Sequence, residues 1–233
     1  MDTPPIMAAH LAGAELRRGG PVPAIDRPYF LTVGTIEPRK NHETLLDVWR
    51  GMAHRMKDAT PGLVLIGQWG AGSGRVRQML MNDPLLASHV TILERCSDRE
   101  MAGWIESAQA VLLPTLAEGF GLPMIEALSL GTPVVASNLP CFRENGQGIP
   151  LLVDPMDKSG WERGVAMMGA DQVERNRQVA QMAGFRRPSW DSHFAQVDRW
   201  LDHLLSDRTS RSARGTSVDH GRAPSFARRA SAP

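Results

Sequence analysis

Along this chain the apolar residues gather into short solid runs, and the segments between them repeat with a helical period. Runs of strand length fall at Phe30 to Val33, Leu63 to Ile66, Val90 to Leu93, Ala110 to Leu113, Pro133 to Ala136 and Pro150 to Val153. A strand exposed on one face would alternate apolar and polar residues; strands apolar throughout belong in a sheet covered on both sides. The intervening stretches Glu43 to Met56, Arg75 to Asn82, Arg99 to Ala108 and Pro123 to Leu130 are amphipathic at helical spacing. This alternation predicts an α/β fold: one Rossmann-like parallel sheet with helices on both faces, joined by right-handed crossovers.

Helix start signals agree with that placement. Asn41 can cap the first helix, Ser97-x-x-Glu100 has the spacing of a capping box, and Pro123 suits the first turn of the helix it opens. After the last apolar run, Trp161 to Met168, Gln172 to Gly184 and Ser189 to Leu205 are predicted helical. The last of these carries Trp190, Phe194, Val197, Leu201 and Leu204 on one face. Residues 1–28 are rich in Pro and Gly, hold at most one short helix between Ile6 and Arg18, and are expected to be a leader or linker. The domain is expected over 29–205. Residues 206–233, mostly Ser, Arg, Gly, Thr and Pro, bury too little apolar surface to offset their ordering entropy and are expected to form a disordered basic tail.

Composition narrows the functional classes. With 42% hydrophobic and 22% charged residues in 233, the chain can bury a core, and its formal charge of +1 argues against nucleic acid as a partner. The charge is uneven: six arginines and two aspartates lie between Asp207 and Pro233, so the remainder is slightly acidic. Cys96 and Cys141 form no CxxC pair and no zinc-spaced cluster, so neither a disulfide framework nor a structural metal is expected. No apolar run approaches the roughly 20 residues that span a bilayer. The acidic start, Asp2, does not resemble a secretory signal. A cytoplasmic location is expected, with docking of the basic tail at the inner face of a membrane as the weaker alternative.

In an open parallel sheet, ligands bind beyond the carboxyl ends of the strands, and three loops at that edge are unusual. GTIEPRKN, residues 34–41, presents Arg39 and Lys40 just before a helix, a pairing of cations with free amides that suits an anion. GQWGAGSG, residues 67–74, has glycines where a backbone must approach a ligand or turn sharply. In the segment from Pro114 to Val135, Glu118 lies in a loop, Gly119 and Gly121 leave amides uncovered, and Glu126 falls about one turn inside the helix begun at Pro123. Taken singly, each has a plain reading: a solvated cationic pair, a flexible turn, acids drawn to a helix N-terminus. Their coincidence at one edge favours a site. A dinucleotide site would need GxGxxG after the first strand and an acid after the second; the chain has GTIEPR and Ile66-Gly67-Gln68, so a dehydrogenase is excluded.

GTIEPRKN, EGFGLPMIEA (118–127), GTPVVASN (131–138), LLVDP (151–155) and PSWDSH (188–193) together resemble the nucleotide-sugar-binding, C-terminal half of a retaining GT-B glycosyltransferase of group 1, family 4 type. The resemblance implies a hexosyltransferase of polysaccharide biosynthesis with a nucleoside-diphosphate sugar as substrate, no further cofactor and no metal. Lys40, with Arg39 beside it, would neutralise the diphosphate. Glu118 would face the donor sugar and the reacting centre, so Lys40 and Glu118 are the catalytic candidates. The backbone of Gly119, Phe120, Gly121 and Leu122 would hold phosphate oxygens, and Glu126 the ribose hydroxyls. Gly34 and Gly67 would permit close approach, and Arg95 to Asp98 would lie near the base. GDP-mannose is the first donor the resemblance suggests, and it leaves the acceptor open between a glycan and a lipid-linked one.

The family carries its acceptor-binding domain first in the chain, whereas about 28 residues precede the first strand here, and Thr35 stands where some relatives have a second phosphate-binding Arg. The resemblance therefore implies a partner domain on a separate chain or a homo-oligomer, with the helix of Trp190 and Trp200 as a candidate contact; core packing of that helix is the alternative. Two classes stay open: a glycosyltransferase completed by a partner, and a noncatalytic nucleotide-sugar-binding or decayed module with the same fold.

Overall fold

The computed structural model describes residues 5–21, 24–169 and 172–215. Six strands, β1 (Tyr29–Val33), β2 (Gly62–Ile66), β3 (Val90–Leu93), β4 (Val111–Leu113), β5 (Val134–Ser137) and β6 (Leu151–Val153), each begin within one residue of the expected position. They form one sheet in the order β3-β2-β1-β4-β5-β6, and every pairing is parallel. β1 runs beside β2 from Tyr29↔Gly62 to Val33↔Ile66 but meets β4 only at Leu31↔Val111. The order reverses between β1 and β4, so the loops after these two strands part at the carboxyl edge and open a crevice.

The sheet divides two cores with the period-2 alternation of its strands. Tyr29, Leu31, Val64, Ile66, Val111, Leu113 and Val134 face one, and Phe30, Leu63, Ala110, Leu112 and Val135 face the other. Helices α4 (Asp98–Ser107), α5 (Leu122–Ser129) and α6 (Pro140–Asn145) close the first core with Ile105, Met124, Leu128 and Phe142. Helices α1 (His42–Met56), α2 (Gly74–Asn82), α3 (Pro84–Ala87) and α7 (Lys158–Gly169) close the second with Leu45, Trp49, Val76, Leu86 and Trp161. Each such side chain, fully buried, stabilises the fold by about 1.5–3 kcal/mol. The two buried indoles also satisfy their N–H groups, Trp49 on the Pro61 carbonyl (2.8 Å) and Trp161 on that of Asp154 (3.1 Å). Helix α8 (Val173–Met182) completes this unit, which spans Leu11–Ser189.

Ser97 and Glu100 form the expected reciprocal capping box on α4. Asn41 stands at the cap position of α1, but its side chain bonds elsewhere. α3 and α6 were not expected, because four and six residues are too few to show a period. The segment before β1 departs from the leader reading. Residues 5–21 contain no helix, yet from Leu11 onward the chain is fastened to the domain. Ala12 is buried, and Leu16 and Ile25 pack on the first core. The Gly19 N–H donates to Glu106 (2.9 Å). A Cβ at Gly20 would lie 2.3 Å from the Arg99 carbonyl oxygen, and one at Gly103 2.0 Å from that of Pro21. Two glycines thus let a strap and a helix touch backbone to backbone.

The second compact unit comprises the segment ending at His10 and helix α9 (Trp190–Gly215). In it Gln196 donates to the Ala8 carbonyl (3.1 Å), and His193 Nδ1 lies 3.0 Å from that of His10. The Trp190 and Phe194 rings stack at 5.9 Å. α9 runs to Gly215 where an end at Leu205 was expected. The rest of the expected tail, 216–233, lies outside the described residues.

Candidate functional site

The loops after β1 and β2 are zipped together. Ile36 donates to the Gln68 carbonyl (2.8 Å), Gly70 donates to that of Ile36 (3.0 Å), and Ile36 and Trp69 form a parallel bridge. The glycines of the second loop serve this packing. A Cβ on Gly67 would lie 2.0 Å from the Gly34 carbonyl oxygen, on Gly70 2.6 Å from Thr35 Cγ2, and on Gly72 2.7 Å from Pro38 Cγ. Gly67 therefore gives room to the backbone of the neighbouring loop. Gly34, at φ 137°, gives room to a side chain instead: its absent Cβ would sit 3.2 Å from Lys40 Cε.

Pro38–Lys40 form one 3₁₀ turn, and Asn41 follows in the left-handed region at φ 53°, a conformation Asn tolerates better than most residues. Its buried amide donates to the carbonyls of Pro114 and Pro155, both at 3.0 Å, and its oxygen accepts from the Thr44 hydroxyl at 2.9 Å. One side chain thereby ties together the loops after β1, β4 and β6. Leu116 N–H donates to the Arg39 carbonyl (2.8 Å), the Thr115 hydroxyl lies 2.9 Å from that same carbonyl, and the Arg39 guanidinium reaches the Ala117 carbonyl at 2.8 Å.

This stitching brings the charges together. Lys40 Nζ lies 2.6 Å from Glu118 Oε2, with side chains only 15% and 16% exposed. Arg39 is 3.7 Å from the same oxygen and 2.7 Å from Glu37. A shielded, charge-assisted bond of this kind contributes about 1.5–3 kcal/mol. The other Glu118 oxygen accepts the Gly119 N–H at 3.2 Å, and nothing lies within 4 Å of where a Gly119 Cβ would stand. Gly121, at φ 88°, turns the chain into α5, whose start no side chain caps. Pro123 carries no N–H and the Met124 N–H donates to the Gly121 carbonyl (3.0 Å), so Leu122 supplies the first-turn amide at the positive end of the helix dipole. The Phe120 carbonyl is held by Asn145 (2.8 Å).

Glu126 lies one turn inside α5 and meets a different partner: its Oε1 accepts the Ala14 N–H at 3.3 Å. Burial pushes its carboxyl pKa upward; the Ala14 bond and Arg187 oppose the shift, and Asp98 adds to it. At the other end of the site His42, buried and beside the Lys40 charge, has its pKa lowered to about 4. Among the described residues, His42 Nδ1 has no hydrogen-bond partner.

Lys40, Arg39, Glu118, Gly119 and Gly34 thus form one contiguous cluster. Gly121 and Leu122 stand at the adjoining helix start, and Glu126 sits under the N-terminal strap. The sequence reading missed Asn41 as a fastener, Thr115, and the pair Ala14 and Arg187. An Asn just ahead of a predicted helix was the one visible signal; contacts across 173 residues leave none. The cluster offers positive charge for an anion, with a carboxylate beside it and the uncapped start of α5 adjoining. Among the described residues no group of three or more His, Cys, Asp or Glu is arranged for a metal ion, and no helix is long and apolar enough to cross a membrane.

Residues 27–171 match the family described as Glycosyl transferases group 1. An O-antigen chain mannosyltransferase of Salmonella typhimurium is 30% identical over 179 residues, 74% of this chain and 46% of the relative. A phosphatidyl-myo-inositol mannosyltransferase of Mycobacterium tuberculosis is 32% identical over 171 residues, 70% and 43% respectively. The chain therefore spans less than half the length of these relatives. Among solved structures, sucrose-phosphate synthase of Thermosynechococcus elongatus superposes with a TM-score of 0.63 at 24% identity, over 78% of this chain and 46% of that one. The match to the family over well more than half of the sequence, on a sheet whose reversal point carries the charged cluster, makes this chain a member of the group 1 glycosyl transferases.

Proposed function

We propose that the chain is the donor-binding part of a retaining hexosyltransferase, and that it takes a nucleoside-diphosphate sugar at the edge formed by residues 34–41 and 114–126. The observation that carries this reading is the Lys40 and Glu118 pair, 2.6 Å apart at the switch point of the sheet, in the loops that lead to the uncapped start of α5. On donor binding, the Lys40 ammonium turns from Glu118 to the diphosphate, with Arg39 at the outer edge. The amides of Gly119 to Leu122 take phosphate oxygens. Glu118 faces the sugar, Glu126 receives the ribose hydroxyls, and residues 95–98 lie toward the base.

In the transfer, the bond between the anomeric carbon and the phosphate oxygen breaks while the acceptor oxygen bonds to the same face. The departing phosphate takes the acceptor's proton, and Glu118 supports positive charge developing on the sugar. Cations and amides already in place lower the energy of the charged leaving group more in the transition state than in the ground state. No metal is required in this scheme. Relatives named as mannosyltransferases favour mannose as the sugar, and the acceptor, a glycan or a lipid-linked one, is met in a cytoplasmic setting by a second domain or a second copy. NMR of the sugar released on slow hydrolysis of GDP-α-mannose, UDP-α-glucose or ADP-α-glucose tests the stereochemistry. The α-anomer is expected first, and a β-anomer would overturn the retaining mechanism.

A further inference from the structure

One residue in the N-terminal strap has both of its backbone polar groups held by side chains distant in sequence. The Ala14 N–H donates to Glu126 Oε1 (3.3 Å), and the Ala14 carbonyl accepts from the Arg187 guanidinium (2.8 Å). Gly13, just before it, lies along the Glu126 stem: a Cβ there would be 3.5 Å from Glu126 Cγ, an ordinary contact. Arg187 is itself fixed from behind. The Gln147 side chain bonds both polar groups of the Arg186 backbone, donating to its carbonyl at 2.8 Å and accepting its N–H at 3.1 Å. The strap is anchored beyond the clamp by the Gly19 bond to Glu106 and by Leu16 in the core.

We infer that Arg187, acting through the backbone of Ala14, is a positioning residue that holds the Glu126 carboxylate for the nucleotide ribose; this rests on the donor-site reading above. A glutamate has three side-chain torsions, and fixing them before the ligand arrives removes an ordering cost from binding. The clamp also acts on charge. The groups facing Glu126 are Asp98 of α4, which disfavours its ionised form, and the Ala14 N–H and Arg187, which favour it. An ionised carboxylate can accept a hydroxyl hydrogen bond on each oxygen, whereas in the protonated form one oxygen becomes a donor.

The test compares ligands as well as proteins. Using the full chain, affinities for UDP, GDP and ADP are measured by calorimetry, then for the 2′,3′-dideoxy form of whichever binds. Arg187→Ala should weaken binding of the ribose form on the order of tenfold, as expected for loss of a charge-assisted contact, and leave the dideoxy form nearly unchanged. The acid limb of binding should move to higher pH, and Arg187→Lys should restore part of the affinity. Should Arg187→Ala fail to fold, Arg187→Met, which keeps most of the stem, gives the same comparison. A wild type that distinguishes ribose from dideoxyribose while the Arg187 variants keep that distinction overturns the positioning role alone. A wild type that binds no nucleotide, or binds both forms equally, overturns the ribose role of Glu126 and the inference with it.

Discussion

Two glycine-bearing loops lie at the same edge of the sheet and use their glycines in opposite ways. In residues 67–74 the missing side chains are replaced by protein: the Gly34 carbonyl, the Thr35 methyl and the Pro38 ring occupy the space at Gly67, Gly70 and Gly72. In residues 114–122, Gly119 opens onto free space, and the helix start beyond it has no side-chain cap. The first loop shapes its neighbour, and through it Lys40; the second leaves backbone available to a ligand. A glycine-rich loop therefore identifies a close approach without saying what approaches.

The largest expected effect separates the two loops directly. Gly67→Ala places a Cβ 2.0 Å from the Gly34 oxygen, and should cost roughly 3 kcal/mol of stability, lowering Tm by roughly 6–12 °C. Gly119→Ala should shift Tm hardly at all, since it meets nothing, while weakening nucleotide binding; a reversed pattern in thermal melts would break the comparison.

His42, beneath the first loop, gives an effect of similar size. Its folded pKa of about 4 lies below the ordinary 6.5, so its contribution to stability is present above pH 6.5 and is lost as pH falls toward 4. From this imidazole alone the wild type should lose on the order of 3 kcal/mol over that interval. Denaturant melts of His42→Leu at pH 7 and pH 4.5 should show a smaller loss on acidification, and equal losses would contradict the assignment.

Lys40→Ala should weaken nucleoside-diphosphate binding by about 1.5–3 kcal/mol, while a nucleoside without phosphates should be unaffected. The smallest effect concerns Glu126. Its folded pKa is raised, so its contribution to stability is present below about pH 4.5 and is lost as pH rises through the raised value. Glu126→Gln should flatten that decline in a pH series of melts, and an unchanged slope would locate its source elsewhere.

The sheet was legible because its strands are apolar on both faces, and the start of every one falls within a residue of the expectation. Lys40, Glu118 and Gly119 were legible as a group because the topology brings the loops after β1 and β4 to one crevice. What escaped were features that one stretch of sequence does not encode. The strap through Gly13 and Ala14 reads as linker because of its Pro and Gly, and its attachment depends on two backbones meeting at Gly20 and Gly103. Asn41 reads as a helix cap, but its oxygen accepts from the Thr44 hydroxyl and its NH2 donates to the Pro114 and Pro155 carbonyls. Gly67 reads as a place of close approach, and spacing does not record that the Gly34 carbonyl lies against it.

The most direct measurement is calorimetry of UDP, GDP and ADP against the wild type, Lys40→Ala and Glu126→Ala. If residues 34–41 and 114–126 form the donor site, one nucleotide binds the wild type in preference to the others, and each substitution lowers its affinity on the order of tenfold or more. Binding that both substitutions leave unchanged, or no binding of any of the three to the wild type, would contradict that site.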